Sequence, residues 1–304
     1  MRLATLIATL TLATAIVPTA SAAPVTINVG PRPESITKGW DGNFFVSIQG
    51  APDLGKQDGE IRIVNPATGE VKPFATGLDN PRGLAFTQNH LVATDTDKIW
   101  LIDRTGTKKL LASAAQFPHP AEFFNDAAPA PDGVYVTEMG ARTKMRDPNG
   151  FLWPTDSQQA LDIPALARVY RISLTGRITE VVSPSRKTLV INGTAPARRP
   201  GTLLVGEFFY GNVVSVNLMT GAKTVIATGF RGADGIEQGR DGSIYVSSFD
   251  NGIVWKMDRD GENPVVLLKD VGRSSTADFY LDEAANRLLV PDTAHGTVIV
   301  VPTK

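Results

Sequence analysis

The sequence predicts an all-β fold, a six-bladed β-propeller whose N-terminal strand closes the last blade. Three observations carry that prediction. Strand-length apolar or β-branched runs recur with Gly, Pro, Asn or Asp in the gaps, and helical periodicity is hard to find after the first segment. A turn of Asn, Asp or Ser followed by Thr-Gly or Asp-Gly returns at Asn65…Gly69, Asp103…Gly106, Ser173…Gly176, Asn217…Gly221 and Asp258…Gly261. The polar residues heading the units, Glu34, Arg82, Asn125, Asn192, Asp234 and Asp278, fall 42 to 48 residues apart except for one step of 67, against roughly 40–50 for a four-stranded blade.

Taken in order, the chain opens with Arg2, an apolar run from Leu3 to Val17, Pro18 and the triplet Ala20-Ser21-Ala22. That is the layout of a cleavable secretory signal peptide over residues 1–22. The apolar run is about 15 residues, short of the ~20 that a spanning helix needs. The expected mature chain, residues 23–304, is therefore periplasmic or secreted, with no membrane span. Val25–Val29 reads as a strand that belongs to no unit of its own. Strands follow at Phe44–Ile48, Glu60–Val64, His90–Thr94, Lys98–Ile102, Gly133–Thr137, Arg168–Ile172, Leu203–Gly206, Val213–Val216, Ser243–Ser247, Ile253–Met257, Leu288–Val290 and Thr297–Val301. Asp41-Gly42, Asp132-Gly133 and Asp241-Gly242 mark turns between them. The oversized third step holds an insertion, about residues 140–165. The last unit, from Thr276 to Pro302, has room for three strands, so the first strand is expected to complete it and remove the open edge.

Composition narrows the chemistry. Lys and Arg number 30 against 31 Asp and Glu, which argues against a nucleic-acid surface. The chain has no Cys and three His, which removes thiolate chemistry and leaves oxygen groups to do the work. The first strand of each blade lines the propeller channel, so equivalent polar residues form a ring there. Carboxylates converging in a narrow channel repel one another, and something positive should neutralise them. Glu and Asp carboxylates with Asn carbonyls are hard oxygen donors that suit Ca²⁺ or another divalent cation. Glu34 and Asp234 balance its charge, Asn125 and Asn192 add neutral oxygens, and the remaining positions stay open to water or substrate. Alternatively these side chains cap strand ends or hydrogen-bond in a wet channel without a metal.

The segments Pro33-Glu34-Ser35, Phe123-Phe124-Asn125-Asp126, Ile191-Asn192-Gly193 and Gly232-Ala233-Asp234-Gly235 resemble, in order and register, the metal-site motifs of the gluconolactonase/regucalcin family of six-bladed propellers. That superfamily includes the diisopropylfluorophosphatases and paraoxonases, and the similarity spans nearly the whole mature chain. The resemblance implies Ca²⁺ or another divalent ion on Glu34, Asn125, Asn192 and Asp234, and a hydrolase of lactones or esters. Asp234 is then the candidate catalytic residue, orienting or deprotonating water. One departure concerns substrate: sugar lactonases of the family carry Arg two positions before the blade-three Asn, where this chain has Phe123. A more apolar lactone or ester is expected in consequence.

Arg82 and Asp278 complete the ring, either binding substrate or pairing with neighbours, and Asp126 supports Asn125 or forms a turn. His90, His119 and His295 match no catalytic position. Loops Gln49–Gly59, Glu207–Asn212, Phe249–Gly252 and Asp292–Gly296 should share the access face with the insertion, a candidate lid carrying Phe151, Leu152 and Trp153. With Phe208, Phe209, Tyr210 and Phe249, Trp153 either makes an aromatic rim for an apolar substrate or anchors the loop. The chain thus reads as a monomeric, metal-dependent hydrolase acting on a small lactone or ester. A non-catalytic exported propeller that binds a ligand or protein is the competing reading; a metal-free lyase or synthase fits two carboxylates with two Asn poorly.

Overall fold

The computed structural model describes residues 25–51, 55–65 and 67–304. The expected leader, residues 1–22, lies outside the described residues, as does part of the loop from Gln49 to Gly59. Strand β1 (Val25–Asn28) is followed by blade one, β2 (Pro33–Lys38), β3 (Phe44–Ile48), β4 (Gly59–Asn65) and β5 (Glu70–Leu78). Blade two is β6 (Pro81–Thr87), β7 (His90–Asp95), β8 (Lys98–Ile102) and β9 (Lys108–Ser113). Blade three is β10 (Phe124–Ala130), β11 (Gly133–Glu138), β12 (Arg168–Ser173) and β13 (Ile178–Val182). Blade four is β14 (Ile191–Pro196), β15 (Thr202–Glu207), β16 (Asn212–Asn217) and β17 (Lys223–Ala227). Blade five is β18 (Ala233–Gln238), β19 (Ile244–Ser248), β20 (Ile253–Met257) and β21 (Val265–Leu268). Blade six consists of β22 (Tyr280–Asp282), β23 (Arg287–Asp292) and β24 (Thr297–Pro302), and β1 is its fourth strand.

Each blade is antiparallel, and β1 pairs with β24 from Val25 opposite Val300 to Asn28 opposite Thr297. The six blades close on themselves as the repeat required. The turn motif does what its residues dictate: Gly69, Gly106, Gly176, Gly221 and Gly261 have positive φ and donate back to the carbonyls of Asn65, Asp103, Ser173, Asn217 and Asp258. Left-handed backbone there suits Gly because it lacks Cβ.

The core is divided rather than central. Six apolar clusters each sit between two adjacent blades. Alternation along a strand serves both neighbours: Val134 and Val136 of β11 pack toward blade two, while Tyr135 packs toward blade four. Middle strands are therefore buried on both faces, which is why they read as continuous apolar runs. A seventh cluster lies under the insertion. That segment connects β11 to β12 and contains a 3₁₀ turn at Arg142–Lys144 and the short helix α1 (Gln158–Asp162), capped by the Ser157 hydroxyl, which accepts from the Ala160 N–H at 3.2 Å. Among the described residues no helix is long and apolar enough to cross a membrane.

Candidate active site

A bulge near the start of the innermost strand builds the site. In β2, β6, β10, β14 and β18 the register with the second strand slips between Pro33 and Ile36, Pro81 and Leu84, Phe124 and Ala127, Ile191 and Thr194, and Ala233 and Ile236. Two residues of the inner strand then oppose one of its partner, and a bulge re-aims the side chains it carries. The first bulge residues are Glu34, Arg82, Asn125, Asn192 and Asp234. Glu34, Asn125, Asn192 and Asp234 are 3–4% exposed.

Blade six differs from the expected ring. Thr276 bridges Asp292 and Tyr280 pairs with Leu289, which puts Ala277 in the position of Glu34 and moves Asp278 to the second bulge position. The hydroxyls agree: Thr94 donates to the Asn125 carbonyl, and Ser247 to the Ala277 carbonyl. The six-membered polar ring of the sequence is thus a five-membered one, with Asp278 in a second tier. Ser35, Gly83, Asp126, Gly193 and Gly235 share that tier.

The two tiers have different chemistry. Second-tier side chains fasten blades together. Asp126 accepts from the N–H groups of Ala127 and Thr194 at 2.6 Å each, spanning blades three and four. Asp278 accepts from the Ser35 hydroxyl at 2.5 Å, spanning blades six and one. Where this tier is Gly, the next bulge occupies the space: a Cβ on Gly193 would stand 2.0 Å from the Asp234 carbonyl oxygen, and one on Gly83 2.4 Å from the Ala127 nitrogen.

First-tier groups are left free. Among the described residues nine buried side-chain polar atoms have no hydrogen-bond partner, and five belong to this tier: Glu34 Oε2, Arg82 Nε, Asn125 Oδ1, Asn192 Oδ1 and Asp234 Oδ1. Orphaned buried acceptors are expensive. Four such oxygens, from two carboxylates and two carboxamides at equivalent bulge positions, make a donor set of the kind that suits a hard divalent cation. Among the described residues no three His, Asp or Glu side chains form a metal-binding group, so any cation here would rest on mixed carboxylate and carboxamide oxygen.

Electrostatics point the same way. Burial pushes the Glu34 carboxyl up to about 8, with Arg82 pulling it back and Asp126 pushing it further. Asp234 is raised well above the ordinary range by burial first and by Glu34 second. Burial and Asp126 raise Asp278 as well. Arg82, drawn down to about 10 chiefly by burial, stays cationic, with Nη1 at 3.9 Å from Glu34 Oε1.

The predicted aromatic rim is a small core instead. Phe123 and Phe208 are 5% and 2% exposed and pack with Phe209, Met139, Met145 and Ile163 under the insertion, with Trp153 and Phe249 against the same cluster. Arginines tie the insertion across the face: Arg146 to the Asp250 carboxylate at 2.8 and 2.9 Å, Arg231 to the Trp153 carbonyl at 2.7 Å, and Arg186 to the Ile163 carbonyl at 2.7 Å. Trp153 therefore anchors the loop, and the apolar surface read as a substrate wall is spent on packing. Phe151 remains 57% exposed, beneath Arg273. The histidines lie elsewhere, His119 beside Glu180, His295 on Asp292 and His90 on the Gln88 carbonyl.

The sequence reading passed over the buried carboxylates ending the second strands. Glu207 accepts from the N–H groups of Val190, Phe209 and Tyr210, and Asp95 from those of Asp79 and Asn80. Their signal was an acidic residue recurring at the ends of β7, β11, β15 and β23.

The molecule is a closed six-bladed β-propeller with a polar tier of carboxylates and carboxamides at the heads of its inner strands. Residues 57–269 match the family model of the SMP-30/gluconolactonase/LRE-like region, and the chain belongs to that family. Its fold is similar to that of a gluconolactonase from Xanthomonas campestris, at 18% identity over 93% of this chain and 99% of that one, with a TM-score of 0.62. A calcium-binding regucalcin from Agrobacterium tumefaciens superposes with a TM-score of 0.64, at 18% identity over 92% and 93% of the two chains. A luciferin-regenerating enzyme shares 12% identity over 92% and 95%, with a TM-score of 0.62. No protein with curated annotation matches the sequence.

Proposed function

We propose that the chain is an exported, divalent-cation-dependent hydrolase of a lactone or ester, with its cation on Glu34, Asn125, Asn192 and Asp234. The observation that carries this reading is the set of four buried, unpartnered oxygens at equivalent bulge positions of four blades. Membership of a family that includes gluconolactonases supports lactone hydrolysis as the reaction class. A divalent cation supplies charge stabilisation for the developing oxyanion of acyl hydrolysis.

The chain's own residues do the rest. Asp234 is the candidate base: its carboxylate is buried, and with the unpartnered Oδ1 on the cation its other oxygen can hold a water and accept its proton. Asp126 and Asp278 serve poorly in that role because hydrogen bonds across blades already hold them. Asn125 keeps its carbonyl oxygen free because its amide nitrogen points at Met139 Sδ, 3.5 Å away. The insertion is fastened to blades four and five by Arg146, Arg186 and Arg231.

The test is chelation and restoration. Treatment with EDTA should abolish lactone hydrolysis and lower the melting temperature, and Ca²⁺ should restore both. No hydrolysis under any divalent cation, with an unchanged melting temperature, would leave a binding scaffold. Export is tested by the N-terminus of the mature protein, expected at Ala23.

A further inference from the structure

We propose that the substrate carries an anionic group, a carboxylate in the simplest case, and that Arg82 and Arg142 receive it. This rests on the hydrolase reading and replaces the apolar substrate expected from the sequence. Phe123 stands where a donor to the substrate was expected, but it is not an empty wall. The Arg82 guanidinium lies 4.2 Å from the Phe123 ring centroid and the Arg142 guanidinium 3.6 Å from it. The phenyl ring is thus a platform that fixes two planar cations beside the channel mouth.

Both cations have donors to spare. Arg82 Nε is buried without a hydrogen-bond partner, and Arg82 approaches Glu34 only at 3.9 Å, beyond hydrogen-bond distance. Arg142 is an exposed residue on the insertion, and Glu122 is the opposite charge acting on it. Arg32 and Arg142 both repel the charge on Arg82, which places two further guanidinium groups within electrostatic reach of it. A purely apolar site has no use for stacked arginines with unused donors, and two like charges on one ring favour a further anion beside them even with Glu34 and Glu122 nearby.

The two signs of charge come from different blades. Carboxylates Glu34 and Asp234 belong to blades one and five, whereas Arg82 starts blade two and Arg142 rises from the insertion of blade three. An acyl group held over the carboxylate and carboxamide oxygens would direct its anionic tail to the arginine side. Planar guanidinium forks match a carboxylate bidentately.

The experiment compares a five-membered lactone bearing a free carboxylate with its carboxamide counterpart, and measures binding of the dicarboxylate product by calorimetry. The wild type should prefer the carboxylate lactone by at least about tenfold in kcat/KM, with a KM that rises with salt for that substrate alone. In Arg142→Gln the preference should fall to near unity and product binding weaken about tenfold, while Arg142→Lys keeps part of both. An unchanged melting temperature for Arg142→Gln, at an exposed residue of the insertion, shows that the fold is intact. Equal turnover of the two lactones, or no binding of the dicarboxylate at millimolar concentration, would overturn the proposal and leave the hydrolase reading standing. Binding of the dicarboxylate without hydrolysis of either lactone would overturn the hydrolase reading and leave the anion site standing.

Discussion

Asp126 and Asp234 are both buried carboxylates at the head of an inner strand, and their neighbours give them opposite roles. Asp126 spends its oxygens on two backbone N–H groups, whereas Asp234 has one oxygen with no partner. Asp234→Asn should therefore lower kcat by about 10²–10⁴-fold, the usual contribution of a positioned base, with little change in melting temperature. Asp126→Asn should instead act on stability, by about 1–3 kcal/mol, because its amide would turn a donor toward a backbone N–H. Thermal unfolding and steady-state rates on both variants separate the two roles; equal kinetic damage would contradict the assignment.

Glu207 gives a prediction in pH. Burial pushes its carboxyl up to about 7 against the pull of four backbone N–H groups. A folded-state value above the unfolded one means that the protonated acid favours folding. That contribution is complete below about 4.5 and is lost as pH rises through 7. Chemical denaturation from pH 5 to 8 should show stability falling, with a shallower fall in Glu207→Gln. The variant should also be weaker at every pH, by about 1–2 kcal/mol, since one backbone N–H loses its acceptor. An identical slope in both proteins would remove Glu207 as the source.

At the scale of the element, the inner strand is a bulge with a task. Its first residue faces the channel mouth, and its second either ties to the next blade or, as Gly, lets that blade approach. Gly193→Ala would drive a methyl group into the Asp234 carbonyl, and overpacking of that kind costs about 3 kcal/mol. It should also weaken Ca²⁺-induced stabilisation, because the collision displaces the backbone of Asp234, a proposed ligand; scanning calorimetry with and without Ca²⁺ measures both. Wild-type stability in this variant would show that the bulges do not touch as described.

Elements were unequally legible. The second and third strands, sandwiched between blades, kept their apolar runs, and Phe44–Ile48, Lys98–Ile102 and Ile253–Met257 are strands with the boundaries expected. Outer strands such as Val265–Leu268 are half in solvent and carry little pattern. Inner strands were read as polar heads rather than strands, because the bulge interrupts the alternation on which a strand is recognised. Asp278 was placed one position early for the same reason: a polar residue marks the tier but not which of two adjacent bulge positions it fills. Phe123, Phe208 and Trp153 show another limit, since a loop aromatic looks alike in sequence whether it faces substrate or packs beneath the loop.

At the scale of the molecule, closure decides stability. Strand β1 contributes Ile27, and Val29 follows it, to the cluster between blades six and one, and β1 covers the edge of β24. Deleting residues 25–29 should expose that edge and open the cluster, giving a chain that melts at least about 10 °C lower or aggregates on expression. Light scattering and thermal unfolding check it, and a soluble monomer of unchanged stability would mean that the ring does not need its clasp. The circular arrangement was legible because six units leave the same spacing and turn chemistry, and because a lone first strand and a three-stranded last unit have one economical solution.

The same circular arrangement brings oxygens from residues as distant in sequence as Glu34 and Asp234 to one channel mouth. A diffraction map of crystals grown with Ca²⁺ tests this most directly. One strong peak is expected about 2.3–2.6 Å from Glu34 Oε2, Asn125 Oδ1, Asn192 Oδ1 and Asp234 Oδ1. A map in which those four oxygens bond only to water or to one another, with saturating Ca²⁺ in the crystal, would contradict the account.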